Sequence, residues 1–378
     1  MTSSREGFRR FAFFAAIAAT TAGLAACEET GTSDSGMAGS VRASHPLSPE
    51  MIALMASKGV NQNAPVLIRT YKKEAEFEIW KMRADGRYVH LKTFPMCRWS
   101  GQLGPKTAEG DRQVPEGFYK ITPGQMNPTS QYYLSFNVGY PNAYDRAWNH
   151  AGGSIFVHGA CSSAGCFSMT DQQIDQIYAV AREAFNGGQQ AIQMQSYPFH
   201  MTAENMAKYR SDPNIGFWKQ LKEGADNFEV SKQDVNVGVC ARHYVFNVTA
   251  RNLDPTGPCP TLEHDGIQDD VAKRQAEDDS KVEKLIAAGT PAVRTIYADG
   301  GQNPEFTAQN LADVSRPEAL TAPTDWLVEP ANSKKAAASS KKPAKATAVA
   351  KAKSADPDDR TSAIKKPDQA PPKPQAAL

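Results

Sequence analysis

The segment Ser154-Ile155-Phe156-Val157-His158-Gly159-Ala160-Cys161-Ser162-Ser163-Ala164-Gly165-Cys166-Phe167-Ser168-Met169 sets the reading of the whole chain. Its apolar start reads as a buried strand. That strand delivers His158 into a loop of Gly, Ala and Ser, and eight residues later Cys166 is expected to open a helix. A base, a loop of backbone donors and a soft nucleophile follow one another, as acyl transfer through a thioester requires. A helix start at Cys166 would lower its thiol pKa, and His158 across the loop would take the proton. The amides of Gly165 and Cys166 would then face the oxygen of an attacked acyl group, glycine permitting the backbone geometry of an oxyanion hole. Spacing alone leaves a buried thiol or half a disulfide equally open for the Gly-Cys pair.

Outward from this segment the chain reads as many short strands around a few helices. Thr170-Asp-Gln-Gln173 forms a capping-box pattern, followed by Ile174, Ile177, Tyr178, Ala181 and Phe185 at helical spacing and a stop at Gly187-Gly188. Upstream, Pro65–Tyr71 reads as a strand, and 77–82 with 88–94 as a hairpin around Asp85-Gly86. A Gly/Pro-rich loop covers 101–115, and further strands are expected at 117–122, 132–138, 154–158, 191–195 and 238–248. Residues 200–230 and 267–288 read as helical, and Tyr297-Ala-Asp-Gly-Gly301 as a tight turn with no chemistry attached. The fold class is α+β: a β-rich mixed-sheet or sandwich domain with flanking helices and a helical C-terminal extension.

The ends differ in character. Arg5, Arg9 and Arg10 precede an uncharged run from Phe11 to Ala26, too short and too Ala-rich for a comfortable membrane span, which ends in Leu24-Ala-Ala-Cys27. Leu-Ala-Ala-Cys resembles a bacterial lipobox, so residues 1–26 are expected to be a lipoprotein signal peptide and Cys27 the lipidated residue. Acyl chains there would tether the protein to a membrane, the outer one on the reading of Glu28, and place it in the periplasm. Residues 27–63 are expected to be a flexible spacer, with globular structure beginning near Ala64. Residues 331–378 hold ten lysines and one arginine against four aspartates, so the chain's net +1 leaves about −6 elsewhere and no basic surplus for nucleic acid. That tail reads as a disordered Lys/Ala/Pro-rich end. Without Cys27 five cysteines remain, an odd number, and no Cys-x-x-Cys pair or histidine cluster suggests a metal.

His158-Gly159 with Ser163-x-Gly165-Cys166-x-x-Met169 resembles the active-site motif of the murein L,D-transpeptidases (YkuD-type). The short His-to-Cys loop is similar to their YafK-like branch, as are Leu103-Gly-Pro-Lys106, Gly110-Asp111, Pro115–Tyr119, Tyr132–Asn137 and Gly139–Arg146. The resemblance covers roughly residues 64–250, taken as the catalytic domain, with 251–330 as an extension carrying an amphipathic helix. It implies Cys166 as nucleophile, His158 as general base, Gly165 as oxyanion-hole backbone and Ser163 as the loop serine of the motif. A second histidine that often precedes the Gly-Cys pair is replaced by Ala164, leaving His158 as the base. It further implies attack on the meso-diaminopimelate–D-Ala bond of a peptidoglycan stem, no cofactor, and acylation by carbapenems. Resolution of the acyl-enzyme by an amine would be transpeptidation. Resolution by water would make the protein a hydrolase of cross-links or of a wall-linked lipoprotein, and a non-catalytic wall-binding lipoprotein is the alternative outside enzymes.

Other residues carry weaker signals. Lys106 and Arg146 are candidates for binding stem carboxylates, against ordinary solvated or paired charges. Tyr132 and Tyr133 are candidates for cleft walls, against core aromatics. Cys161 is expected to be a buried thiol or disulfide member, and Cys240 with Cys259 a candidate disulfide. His150 reads as a loop histidine, and His90, His200 and His243 as surface or hydrogen-bonded residues.

Overall fold

The computed structural model describes Gly39 and residues 41–250, 252–263, 266–307 and 314–328; the expected signal peptide, Cys27 and the cationic tail lie outside them. In chain order the elements are α1 (Pro49–Ser57), β1 (Val66–Tyr71), β2 (Glu76–Met82), β3 (Tyr88–Pro95), β4 (Gly117–Ile121), β5 (Met126–Asn127), β6 (Ser135–Asn137), α2 (Ala143–Ala147), β7 (Phe156–His158) and β8 (Phe167–Ser168). There follow α3 (Asp171–Asn186), β9 (Ile192–Tyr197), α4 (Ala203–Lys208), α5 (Ile215–Ser231), β10 (Val237–Cys240), β11 (His243–Phe246), α6 (Gln268–Ala287), β12 (Val293–Ile296), α7 (Pro304–Thr307) and β13 (Thr324–Leu327). The architecture is α+β, as expected.

One sheet runs β3-β2-β1-β9-β4, with β1 and β9 parallel and the other neighbours antiparallel. A second, smaller sheet runs β5-β6-β7-β8, with β7 and β8 parallel. Every residue of β1 is buried, whereas β2 alternates, as central and one-faced strands should. Helix α3 touches β1 of the first sheet and β6 and β7 of the second, so it fixes the small sheet against the large one. Its start follows from sequence: Thr170 accepts the Gln173 amide, and Gln173 reaches back to the Thr170 amide at 2.9 Å.

The Gly/Pro-rich loop between β3 and β4 is anchored by a fully buried ion pair. Lys72 Nζ lies 3.0 Å from Glu116 Oε1 and donates to the carbonyls of Gly104 and Val114, each at 3.0 Å. Glu116 also accepts the Gly104 amide at 2.6 Å and the Trp218 indole N–H at 2.8 Å. Both charges are therefore surrounded by partners, the condition under which burial of an ion pair is tolerated.

Two expectations are corrected. The spacer extends less far than residue 63, because Pro49–Ser57 is a helix capped by Ser48, with Met51 and Met55 buried beside Leu47 and Val60. Two methionines four apart form a short stripe that its Ser- and Gly-containing surroundings conceal. The strand expected over 238–248 is instead the hairpin β10–β11, turning at Ala241 and Arg242 with φ of 48° and 62°. Such a turn ordinarily calls for Asn-Gly. Here the amides of Ala241 and Arg242 donate to the carbonyls of Gly257 and Pro255 at 2.7 and 2.8 Å, and the Cys240–Cys259 disulfide holds that loop in place.

If α1 belongs to the folded domain, Met55→Ala opens a cavity and lowers unfolding stability by about 2–4 kcal/mol. Urea denaturation checks this; a change within 0.5 kcal/mol (roughly the surface-substitution range) would return the helix to the spacer.

Candidate functional site

The parallel ladder β7–β8 pairs Val157 with Phe167 and His158 with Ser168. Val157 and Phe167 are completely buried in the core. Alternation along each strand then turns His158 and Cys166 to the opposite face together. The Phe156 amide donates to Cys166 Sγ at 3.5 Å, which fixes the sulfur beside the strand that carries the histidine. Cys166 therefore leads into a strand. Helix α3 begins only at Asp171, so the expected placement of Cys166 at a helix start is corrected, and with it the helix-end contribution to thiol acidity.

His158 is oriented by its own backbone neighbour. Its Nδ1 lies 2.6 Å from the Gly159 carbonyl, which can only accept, so Nδ1 carries the proton and Nε2 presents a lone pair. Burial pushes its pKa down to about 4, partly offset by that hydrogen bond, so the ring is neutral at pH 7 and available as a base. The Tyr132 ring lies 4.6 Å away, tilted over the imidazole. Glycine at 159 is dictated by crowding: a Cβ there would stand 2.5 Å from an Asp171 carboxylate oxygen and 2.8 Å from the Tyr132 carbonyl.

The loop between base and cysteine is wound tightly. Ala160 and Cys161 both have positive φ, 65° and 46°, conformations that cost non-glycine residues about 1–2 kcal/mol each. They are held by the Ala160 amide donating to Asp171 at 2.9 Å and by a disulfide from Cys161 to Cys97. That disulfide resolves the role of Cys161.

Ser163 is the hub of the loop's second half. Its hydroxyl donates to the Cys166 carbonyl at 2.7 Å and lies 2.9 Å from the Ser100 hydroxyl. Its amide donates to the Ser315 hydroxyl at 3.0 Å, and its carbonyl accepts Arg112 Nη2 at 2.9 Å. Ser163 is thus a buried staple of the loop. Gly165 has φ of 130°, a region open to glycine alone, and its amide donates to Ser163 Oγ at 3.4 Å.

The other expected site residues divide. Tyr132 reaches the histidine, but Tyr133 turns away: its hydroxyl donates to Asp175 at 3.3 Å and its ring packs under Arg42 at 5.0 Å. Lys106 is buried, donating to Asp111 at 2.6 Å and the Ala108 carbonyl at 2.9 Å. It tethers its own loop, the local ion pair that is the alternative reading for this residue. Arg146, on α2, is exposed and donates to the Pro141 carbonyl. His150 is half-buried beside Asp145, and His90, His200 and His243 hydrogen-bond to Thr93, Glu76 and the Ala241 carbonyl. No group of three or more potential metal ligands occurs among the described residues.

Sequence reading missed Asp299 and its partners. Arg98, Arg112 and Arg316 all ion-pair with this one carboxylate, which lies in the turn to which no chemistry was attached. The participants are up to about two hundred residues apart, so no local spacing connects them.

The YkuD family, described as the L,D-transpeptidase catalytic domain, matches residues 75–187. The Escherichia coli K12 protein named "Putative L,D-transpeptidase YafK" is 37% identical over 212 residues, covering 56% of this chain and 83% of that protein. Its namesake in Escherichia coli O157:H7 gives the same figures. Among solved structures, the helical cell shape determining protein Pgp2 of Campylobacter jejuni covers 65% of this chain and 80% of its own, with 13% identity and a TM-score of 0.29. Bd1075 of Bdellovibrio bacteriovorus covers 46% and 75%, with 13% identity and a TM-score of 0.24.

The buried neutral imidazole makes stability depend on pH with a definite sign. His158 titrates near 6.5 when unfolded and about 4 when folded, so below 6.5 the unfolded chain binds the extra proton. Its contribution is constant above pH 6.5 and turns against the fold as pH falls from 6.5 to 4, by roughly 3 kcal/mol in all. Denaturation of wild type and His158→Gln between pH 7.5 and 4 should show a flatter profile for the variant. Parallel profiles would rule out a buried neutral histidine.

Proposed function

This chain belongs to the L,D-transpeptidase catalytic domain family, and from that membership we propose that it is an exported, lipid-anchored cysteine acyltransferase acting on peptidoglycan stem peptides. The observation that carries the reading is the shared face of His158 and Cys166, with Nδ1 of His158 tied to the Gly159 carbonyl and Nε2 left as acceptor.

Cys166 is disulfide-bonded in this structure, and the reaction uses its reduced form. Its thiol proton passes to His158 Nε2, and the thiolate attacks the carbonyl carbon of the meso-diaminopimelate–D-Ala bond. The tetrahedral oxyanion collapses, the C–N bond breaks, and the proton on His158 goes to the departing amine of D-Ala. A thioester on Cys166 remains. An incoming amine then attacks it, giving its proton to His158, and the C–S bond breaks to regenerate the thiol. On this reading the backbone amides at the 165–166 turn receive the oxyanion, the Gly165 amide after releasing its long bond to Ser163 Oγ. Ser163 maintains that turn through the Cys166 carbonyl.

Export and lipidation at Cys27 rest on the amino-terminal sequence, and the two disulfides at Cys97–Cys161 and Cys240–Cys259 favour an oxidising compartment. The acyl donor, a stem peptide, follows the family, and a lipid anchor at Cys27 would hold the enzyme at the periplasmic face of a membrane, within reach of the wall.

Purified protein under mild reductant, given a defined stem tetrapeptide with and without an amine acceptor, tests the proposal. Wild type is expected to carry a thioester adduct at Cys166 by intact mass and peptide mapping. Cys166→Ala should abolish adduct and turnover. His158→Ala should lower turnover about 10²–10⁴-fold, and Cys161→Ala should retain part of it. An adduct at Cys161, or full activity in Cys166→Ala, would refute the assignment, and product masses distinguish transfer to the amine from hydrolysis.

A further inference from the structure

A cationic cluster beside the Cys166 loop takes no part in the chemistry described above. Asp299 is buried in the turn after β12, and one of its oxygens accepts three guanidinium groups: Arg112 Nη2 at 2.8 Å and Nε at 3.2 Å, Arg316 Nη1 at 2.9 Å, and Arg98 Nη2 at 3.2 Å. Its other oxygen accepts the Gly101 amide at 3.1 Å. Burial would raise this carboxyl's pKa, but the Arg112 hydrogen bonds, the Gly101 amide and the neighbouring positive charges hold it below the ordinary value. One carboxylate cannot neutralise three cations. Among the described residues the further acid paired here, Glu318, lies 3.5 Å from Arg316 Nε with its side chain 70% exposed, a weak counter-charge.

The three arginines differ in what they have left to offer. Arg98 is fully buried, with Nε and Nη1 committed to the carbonyls of Ser315 and Trp99. The side chains of Arg112 and Arg316 are 33% and 47% exposed. Nη1 of Arg112 and Nη2 of Arg316 donate to no acceptor among the described residues. Both arginines adjoin the catalytic loop. Arg112 donates to the Ser163 carbonyl, its own carbonyl carbon stands 3.8 Å from where a Cβ on Gly165 would be, and Ser315, preceding Arg316, accepts the Ser163 amide.

We propose that Arg112 and Arg316, held by Asp299, form a clamp for a carboxylate of the peptide acyl donor. The inference rests on the acyl-transfer reading above and adds the substrate-recognition element to it. Guanidinium groups present planar forks that match a carboxylate, and their fixation on Asp299 removes rotamer freedom before the ligand arrives. Of the two cations that sequence offered for this task, Lys106 is paired with Asp111 and Arg146 donates to the Pro141 carbonyl. A stem tetrapeptide offers two suitable groups near the scissile bond, the D-Ala carboxylate and the side-chain carboxylate of meso-diaminopimelate. Their chemistry is the same, and amidation separates them.

The test compares wild type, Arg316→Gln, Arg316→Lys and Arg112→Lys on the free-acid tetrapeptide, its D-Ala amide and its diaminopimelate amide. Wild type should lose about tenfold in kcat/KM, mainly through KM, when the clamped carboxylate is amidated, the scale of a partly exposed charged hydrogen bond. Arg316→Gln should lose a similar factor on the free acid and little more on that same amide; this non-additivity identifies the carboxylate. The lysine variants should fall between, keeping charge without the fork. Equal free-acid-to-amide ratios in wild type and variants, whatever the absolute losses, would overturn the clamp. Carbapenem adduct formation at Cys166 separates the two levels. A wild type that neither acylates nor turns over peptide overturns the acyl-transfer reading and the clamp with it, whereas normal wild-type turnover with unchanged ratios overturns the clamp alone.

Discussion

Two ladder pairs, Val157 with Phe167 and His158 with Ser168, are the constraint on which the site is built. Parallel neighbours cannot be joined by a tight turn, because the chain must travel back along the full strand before pairing again; ordinary crossovers use about a dozen residues or more. Here only residues 159–166 make the return. So short a crossover has no room for a helix and must be wound through unusual backbone. That accounts for positive φ at Ala160, Cys161 and Gly165 in one eight-residue loop. It also accounts for the number of groups gripping the loop from outside. The reward is placement: a base and a cysteine at successive turns of one sheet face, set by backbone pairing rather than by flexible side chains.

The grip comes from distant parts of the chain. Cys97, at the end of β3, holds Cys161 by a disulfide closing a span of 64 residues, which in the chain-entropy account contributes about 4 kcal/mol. Ser100 and Arg112, from the Gly/Pro-rich loop, hold Ser163, and that loop is itself anchored on the buried Lys72–Glu116 pair. Ser315 closes the third side by accepting the Ser163 amide and donating its own amide to the Cys161 carbonyl. Residues 299 and 314–316, beyond the stretch that resembles the family, are thus structural members of the site. The extension acts on the loop through Asp299, because three guanidinium groups converging on it tie Arg98, Arg112 and Arg316 into one unit.

What was legible in the sequence was whatever local physics determines. The capping box at Thr170, the Asp85-Gly86 hairpin and the alternation of β2 each depend on a few adjacent residues, and each formed where the pattern put it. Helix α1 was hidden because its buried stripe is little more than two methionines, too short for periodicity to register. The Ala241-Arg242 turn was hidden because its backbone is held by carbonyls of another loop, not by residues that favour the conformation. At the site, the order His158, Gly165, Cys166 carried the resemblance, but the partners of charged residues were not legible. Whether a lysine in a loop meets solvent or an aspartate depends on where the loop folds, and Lys106 meets Asp111. Asp299 carries no signal of its own, since an aspartate before two glycines reads as a turn wherever it occurs.

The first cysteine of the loop is held from outside it. Cys161 and Cys166 lie five residues apart in a segment wound back on itself. Pairing Cys161 with Cys97, at a Cα–Cα distance of 5.4 Å, satisfies the first cysteine from outside the loop. Cys161 is thereby withdrawn as a competing nucleophile. The same bond fixes the left-handed turn at Ala160 and Cys161, so the cross-link that removes Cys161 from the chemistry also sets the backbone geometry of the loop.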